Sequence, residues 1–548
     1  MGRPEKSRER KMAPPTHVLF PLGRLNKNRA LVRTYEKAKN DEKKEGRGME
    51  VDVARLRCKT CKNLSLSITC SACGGECLWE RTCSNCQVMT NREECPKCGG
   101  KTHIWERRNI DLVRAVDEAK RRLGWTNLPE IKGVQGLISA SKIPERLEKG
   151  FLRAKHGVTI FRDTTCRHDS TNVTLTQFTP REVRVDVPRL RNLGYLYDIE
   201  GKPLLLPDQI LALKVQDVII SDDGAEFFTK VANYIDEMLV TLYQMKPFYN
   251  IKKPQDLVGQ FTVGLSPHTS AGVLSRIIGF THAHVGYAHP YFHCAKRRNT
   301  DGDEDSLMLL ADALINFSRR FIPATLGGTM DSPLVLTTRL DPTEVDDEVH
   351  SMESCDHYSL EFYEAASRFA SPSEVTVPTV KQLLGKPAQY ESLAYTHAVR
   401  SIDEGPHMTA YISLEKRMVA KVKVEFALED RLRAVDPAEV ANRVLLSHFL
   451  PDMYGNLRSF SKQTFRCGDC NTKYRRAPLV GHCTRCNGKL LLTIYKGGIE
   501  KYLKPSLELV ERYHLPAYMK QRINLIQKDI DSIFIDEKSV QKGLADYM

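Results

Sequence analysis

Twelve of the chain's 16 cysteines fall into six Cys-x-x-Cys pairs, and no other feature restricts its folding so strongly. Cys58, Cys61, Cys70 and Cys73 form one set. Cys83, Cys86, Cys95 and Cys98 repeat its spacing, and Cys467, Cys470, Cys483 and Cys486 form a longer version. Two residues between cysteines let a tight knuckle aim both sulfurs at one tetrahedral ion, and a second knuckle completes a four-thiolate shell. Redox use of the pairs is the alternative, but pairing this regular in a long chain favours zinc. Each set therefore predicts one Zn2+ ion, three in all. With no coordination position left for water, these ions are expected to stiffen the fold and do no chemistry. Gly74, Gly75, Gly99, Gly100 and Gly468 lie beside the knuckles, where tight turns need them. Cys77 reads as a spare thiol, and His482 as an exposed neighbour rather than a ligand.

At 548 residues the chain exceeds the roughly 250–300 residues of a single core, so several domains are expected. It has no unbroken apolar stretch near the roughly 20 residues a membrane helix needs, so no membrane partner is expected. The opening MGRPEKSRERKM lacks the apolar core of a secretory signal, which points to the cytoplasm. Lysine and arginine outnumber acids 81 to 68, and the first fifty residues hold 14 of those cations against 7 acids. A polyanionic partner fits that balance, as does a merely solvated basic surface. The pattern predicts a mixed α/β multidomain chain. A basic remainder spans 1–50, a double cysteine module 51–105 and a mixed α/β connecting region 106–204. IDLVRAVDEAKRRLGW shows helical spacing there, while VTLTQF and VRVDV alternate like strands. Strand signals peak over 205–345. A largely helical region follows at 346–460, then the third cysteine module at 461–500 and a helix with a polar tail at 501–548.

The segment HPYFHCAKRRNTDGDEDSLMLLADALINF carries the chemistry. Lys296, Arg297 and Arg298 precede Asn299, Asp301, Gly302, Asp303, Glu304 and Asp305. Carboxylates at i and i+2 around a glycine can converge on a hard cation while a substrate comes close. Leu307, Leu310, Ala311, Leu314 and Phe317 share one helical face, so a helix capped by Asp305 or Ser306 is predicted after the turn. The Asp-x-Asp-x-Asp start resembles a calcium loop, with Asp312 at its twelfth place, but Ser306 stands where glycine is required. A solvated acidic turn is the plainer alternative. Four acids beside three cations fit a site holding metal and phosphate together: two Mg2+ ions on Asp301 and Asp303, with Lys296, Arg297 and Arg298 on phosphate. His282, His284, His289 and His293 fit an alternating strand with structural or DNA-contacting roles. Asp331 is a second-tier candidate for the active-site wall.

The strings GRPEKSRERKM, HTSAGVLSRIIGFTHAHVGYAHPYFHCAKRRNTDGDEDS and GGTMDSPLVLTT resemble, in the same order, the large subunit of archaeal family D DNA polymerase. The resemblance implies a catalytic core of two double-psi β-barrels, with the acidic turn in the second barrel and helical arms bearing the zinc modules. It makes Asp301 and Asp303 the metal ligands, sets Asn299 beside them, and turns Arg3 and Lys6 of the first barrel toward nucleotide or template. It further implies primer–template DNA and dNTPs as substrates, and as partners the N-terminal half of the large subunit and a small subunit with proofreading 3′–5′ exonuclease activity. The chain then corresponds to the C-terminal part, expected to be active only with those partners. Gln541, Leu544, Tyr547 and Met548 resemble the peptide by which replication enzymes bind a sliding clamp. The competing reading is a non-catalytic zinc-ribbon protein that binds nucleic acid through its basic surface.

Overall fold

The computed structural model describes residues 12, 14–23, 29–40, 48–70, 72–90, 92–298, 303–323, 326–390, 393, 400–404, 407, 418–468, 472–492 and 494–534. The chain divides into two compact units, 9–407 and 408–548 with 1–8.

In the larger unit, strands Gly48–Ala54 and Trp105–Asp111 pair antiparallel and form a stalk. Everything between them belongs to two small three-stranded modules, one around Leu56–Cys58 and one around Arg81–Cys83. Few apolar side chains are available there, so the cysteines supply the core: Cys58, Cys70 and Cys77 are buried with Ala54 and Leu56. Beyond the stalk, helix Leu112–Leu123 is fixed at both ends by its sequence. The Asp111 side chain accepts from Arg114 N, and Gly124 closes the helix in the left-handed region. Its face packs with helix Leu31–Asn40, and Tyr35 donates to Asp117 at 2.7 Å.

Seven strands build the centre: β1 His168–Thr174, β2 Asp217–Ser221, β3 Phe261–Leu265, β4 Ala271–Thr281, β5 Val285–Ala288, β6 Glu304–Leu309 and β7 Val335–Thr337. Their order is β2-β5-β1-β6-β3-β4, and β4 pairs again with β2, closing a six-stranded barrel with β7 added on β4. Closure removes the free edges that a strand row otherwise exposes. Its strands read as apolar on both faces, as in Ile219, Ile220, Ile277 and Ile278, because a helix covers the outside. That helix, Asp222–Tyr243, turns Phe228, Val231, Ile235 and Met238 into the core. It was not foreseen in a stretch dominated by strand signals. The barrel also takes β1 from upstream of residue 205.

Two local expectations are corrected. VRVDV forms no strand: Val183 and Val185 are buried in a turn, and helix Val187–Asn192 follows. The residues after the acidic turn are strand before they are helix. Ser306 and Leu307 pair with both β3 and β1, and only Leu310–Ile315 is helical, without a side-chain cap. Leu307, Met308 and Leu309 are all buried. A central strand buried on both faces presents the same run of apolar letters as a buried helix.

The smaller unit is helical. Pro437–Val444 runs through a wide turn at Leu445–Phe449 into Leu450–Lys462, and helices Leu503–Arg512 and Ala517–Ile533 pack with them around Phe449, Leu450, Met453, Ile523 and Ile526. A three-stranded ribbon with Phe465–Cys467 at its centre interrupts the helices. Among the described residues no helix is long and apolar enough to cross a membrane.

Candidate active site and metal centres

Of the acidic segment, Asp303, Glu304 and Asp305 are described, at the start of β6. Strand alternation sets what each carboxylate can do, since residues two apart share a face. Asp305 points inward and is 2 % exposed. Lys296, equally buried, donates its ammonium to Asp305, and Ser266 Oγ at the end of β3 donates to the other carboxylate oxygen. Burial alone drives the Asp305 carboxyl upward, but Lys296 and Ser266 outweigh it and hold it below its ordinary value. Gly264 makes this possible: a Cβ there would meet Phe292 at 2.9 Å and Lys296 Cδ at 3.0 Å. The Lys296 ammonium also lies 4.6 Å from the centre of the Phe292 ring. Removing one partner of such a pair costs about 3–5 kcal/mol, because the other charge stays buried.

Asp303, one step beyond the barrel on the same side of the strand, remains partly exposed and is met by Arg298 Nε at 3.0 Å. Its carbonyl accepts from Asn172 N of β1 at 2.9 Å. Next along β6, Ser306 Oγ donates to Asp169 of β1 at 2.6 Å. The three basic residues expected on phosphate thus diverge. Lys296 is turned inward onto Asp305, Arg297 donates to the Glu344 carbonyl at 3.1 Å, and Arg298 stands at Asp303. Asn299 and Asp301 lie outside the described residues, as do Arg3, Lys6, Cys470, Gln541, Leu544, Tyr547 and Met548. Pairing of Lys296 with Asp305, and the parts of Ser266, Asp169 and Asn172, were missed. A lysine nine residues before an aspartate carries no periodic signal, and the barrel closure that joins them is nonlocal.

The other candidates take structural places. Asp331 has a left-handed backbone and accepts from His268 N at 2.7 Å, so it shapes the turn between β3 and β4. Asp312 is fully buried, accepts from Cys166 N and Asn316, and is pushed up to about 6 by burial. It is no calcium ligand. His289 accepts from Tyr291 N and His293 meets the Val173 carbonyl at 3.1 Å; burial pushes both imidazoles down to about 3. His282 and His284 pair with Asp222 and Asp223 at the start of the long helix.

The cysteine sets converge. Sulfurs lie 3.4 Å (Cys58 with Cys73) and 3.6 Å (Cys61 with Cys70) apart in the first, 3.4 Å apart (Cys83 with Cys98, Cys86 with Cys95) in the second, and 3.4 Å apart (Cys467 with Cys486) in the third. Zn–S bonds of about 2.3 Å at tetrahedral angles require about 3.8 Å. In the first two sets all four sulfurs gather within 4.8 Å of one another, as do Cys467, Cys483 and Cys486. The residue after a knuckle's second cysteine is left-handed in five cases: Lys62, Gly74, Gln87, Gly99 and Asn487. Gly75 and Gly100 leave room for the opposing knuckle, since a Cβ on either would stand 3.2 Å from a cysteine sulfur. These three clusters can hold metal ions such as zinc.

A closed barrel with Asp303 just before one of its strands, joined to cysteine-stapled modules and a helical unit, is the class of protein defined so far. A family profile described as the catalytic domain of DNA polymerase II large subunit DP2 matches residues 124–421, and the profile of that subunit's central domain matches 1–92. Similar proteins include the DNA polymerase II large subunits of Methanococcoides burtonii and Archaeoglobus fulgidus, each 47% identical over 100% of this chain and 48% of that protein. That of Pyrococcus furiosus is 48% identical over 97% of this chain and 42% of that protein. The chain belongs to the DNA polymerase II large subunit family. It spans about half the length of the curated relatives it matches.

Proposed function

We propose that the chain is the catalytic C-terminal part of a DNA polymerase large subunit, acting in template-directed nucleotidyl transfer from dNTPs to a primer end. The observation that carries this reading is near-half identity along the whole chain to proteins named DNA polymerase II large subunits. The site adds chemical support. Of the two acids described on this side of β6, Asp305 is neutralised internally by Lys296, whereas Asp303 is partly exposed and paired with Arg298, which supports Asp303 as the one that would meet a cation. Asp303 and Asp301 would hold two magnesium ions, with Asn299 adjoining. Such ions would supply activation of the primer 3′-hydroxyl as a nucleophile and charge stabilisation for the departing pyrophosphate. Arg298 and Arg297 would meet phosphate charge, with Arg3 and Lys6 on nucleotide or template. The closed barrel serves as a double-psi barrel in this reading.

Activity is proposed to need the N-terminal half of the large subunit and the small, exonuclease-bearing subunit, with a sliding clamp docking on 541–548. Binding alone needs no acidic turn, since uncompensated carboxylates repel the phosphate backbone. Reconstituting the chain with those two partners and measuring primer extension with Mg2+ tests the proposal. Template-dependent extension is expected. DNA binding without extension under conditions where a related intact enzyme extends would favour the non-catalytic reading.

A further inference from the structure

The buried pair of Lys296 and Asp305 has a geometry beyond what core filling requires. Lys296 and Asp305 stand before and after the acidic residues in sequence and are joined to each other in the interior, each 2 % exposed. Ser266 ties Asp305 to β3, in a register that sets Leu265 opposite Ser306. On the other edge, the Asp303 carbonyl is held by Asn172 N and Ser306 by Asp169, both of β1. The start of β6 is therefore fixed from both neighbours and from below.

A strand so placed has one hazard. A one-residue slip of β6 between β3 and β1 would carry every side chain to the opposite face. Apolar letters resist such a slip poorly here, because Leu307, Met308 and Leu309 are buried on both faces and nearly interchangeable. A slipped strand would carry Asp303 to the other face. A buried ion pair resists, because any other register leaves a charge unpaired in the core; register specification is the best-attested use of such pairs. We propose that Lys296, Asp305 and Ser266 form a register pin for β6, positioning residues that act through Asp303 and set how readily the site takes its divalent cation. The cation role of Asp303 rests on the polymerase reading above; the pin itself does not.

Replacement of the pair by apolar residues of similar volume, Lys296→Met with Asp305→Leu, separates pinning from filling. Three measurements on the double variant decide it: thermal melting and hydrogen exchange of the full chain, and a Mg2+ titration of primer extension by the reconstituted enzyme. The pin predicts melting within a few degrees of the parent and exchange of the 303–306 amides at least tenfold faster. It also predicts half-saturation by Mg2+ raised about tenfold, with primer–template affinity unchanged. Ser266→Ala, which removes one hydroxyl, should shift exchange and Mg2+ half-saturation the same way, two- to threefold. It decides the matter if the double variant fails to fold. Parental exchange at 303–306 in whichever variant folds would overturn the pin. Parental Mg2+ half-saturation with accelerated exchange would overturn its link to the cation. Should extension prove indifferent to Asp303→Asn, the polymerase reading fails, while the exchange result still judges the pin.

Discussion

His289 shows how a single side chain couples the core to pH. It is 3 % exposed, caps the helix Pro290–Ala295 by accepting from Tyr291 N, and stacks on the Tyr291 ring at 5.4 Å between centres. Burial lowers its folded pKa from 6.5 to about 3. Between those values the unfolded chain binds more protons, so the neutral imidazole's contribution is complete above pH 6.5 and is lost as the medium acidifies toward pH 3. The difference reaches about 4–5 kcal/mol at the acid end. His289→Asn keeps an accepting cap without a titrating group. Urea unfolding from pH 7 to 4 should therefore show the variant losing less stability than the parent; equal slopes would contradict the assignment. None of this was legible in the sequence, where four histidines in a strand-like run looked alike. The alternating strand expected of them is not found: His282 and His284 lie in the bend between β4 and β5, His289 caps the helix after β5, and His293 lies inside it.

At the scale of elements, the cysteine modules were the most legible part, because their geometry is local. Two cysteines three apart, followed by a residue that turns left-handed, make a knuckle wherever they occur. The start of β6 was the least legible, because its burial on both faces depends on β3 and β1, residues 261–265 and 168–174. The acids themselves stood out at once, yet which of them faces outward depended on that same pairing. For the modules, atomic absorption of the full chain should give three zinc ions. Cys98→Ser and Gly100→Val should each lower the count to two. The second does so without replacing a ligand, since a side chain there presses on the Cys83 sulfur and on Asn85, 3.2 Å and 2.8 Å from the added Cβ. Three ions retained by both variants would remove the second set as a zinc site.

For the whole molecule, the closure of the barrel was not readable from the sequence. It joins β4 to β2 across some fifty residues and draws in β1 from the connecting region. Deleting residues 541–548 should leave distributive extension on short primers unchanged and weaken stimulation by the sliding clamp several-fold; equal clamp affinity of intact and truncated enzymes would dismiss the tail as the docking peptide. Catalysis is proposed to depend on Asp301 and Asp303. The direct measurement is single-turnover nucleotide incorporation by the reconstituted enzyme carrying Asp301→Asn or Asp303→Asn, with primer–template affinity and zinc content measured on the same samples. Loss of at least a thousandfold in rate, with affinity and zinc preserved, is the predicted result. Near-parental incorporation by both single variants would contradict it.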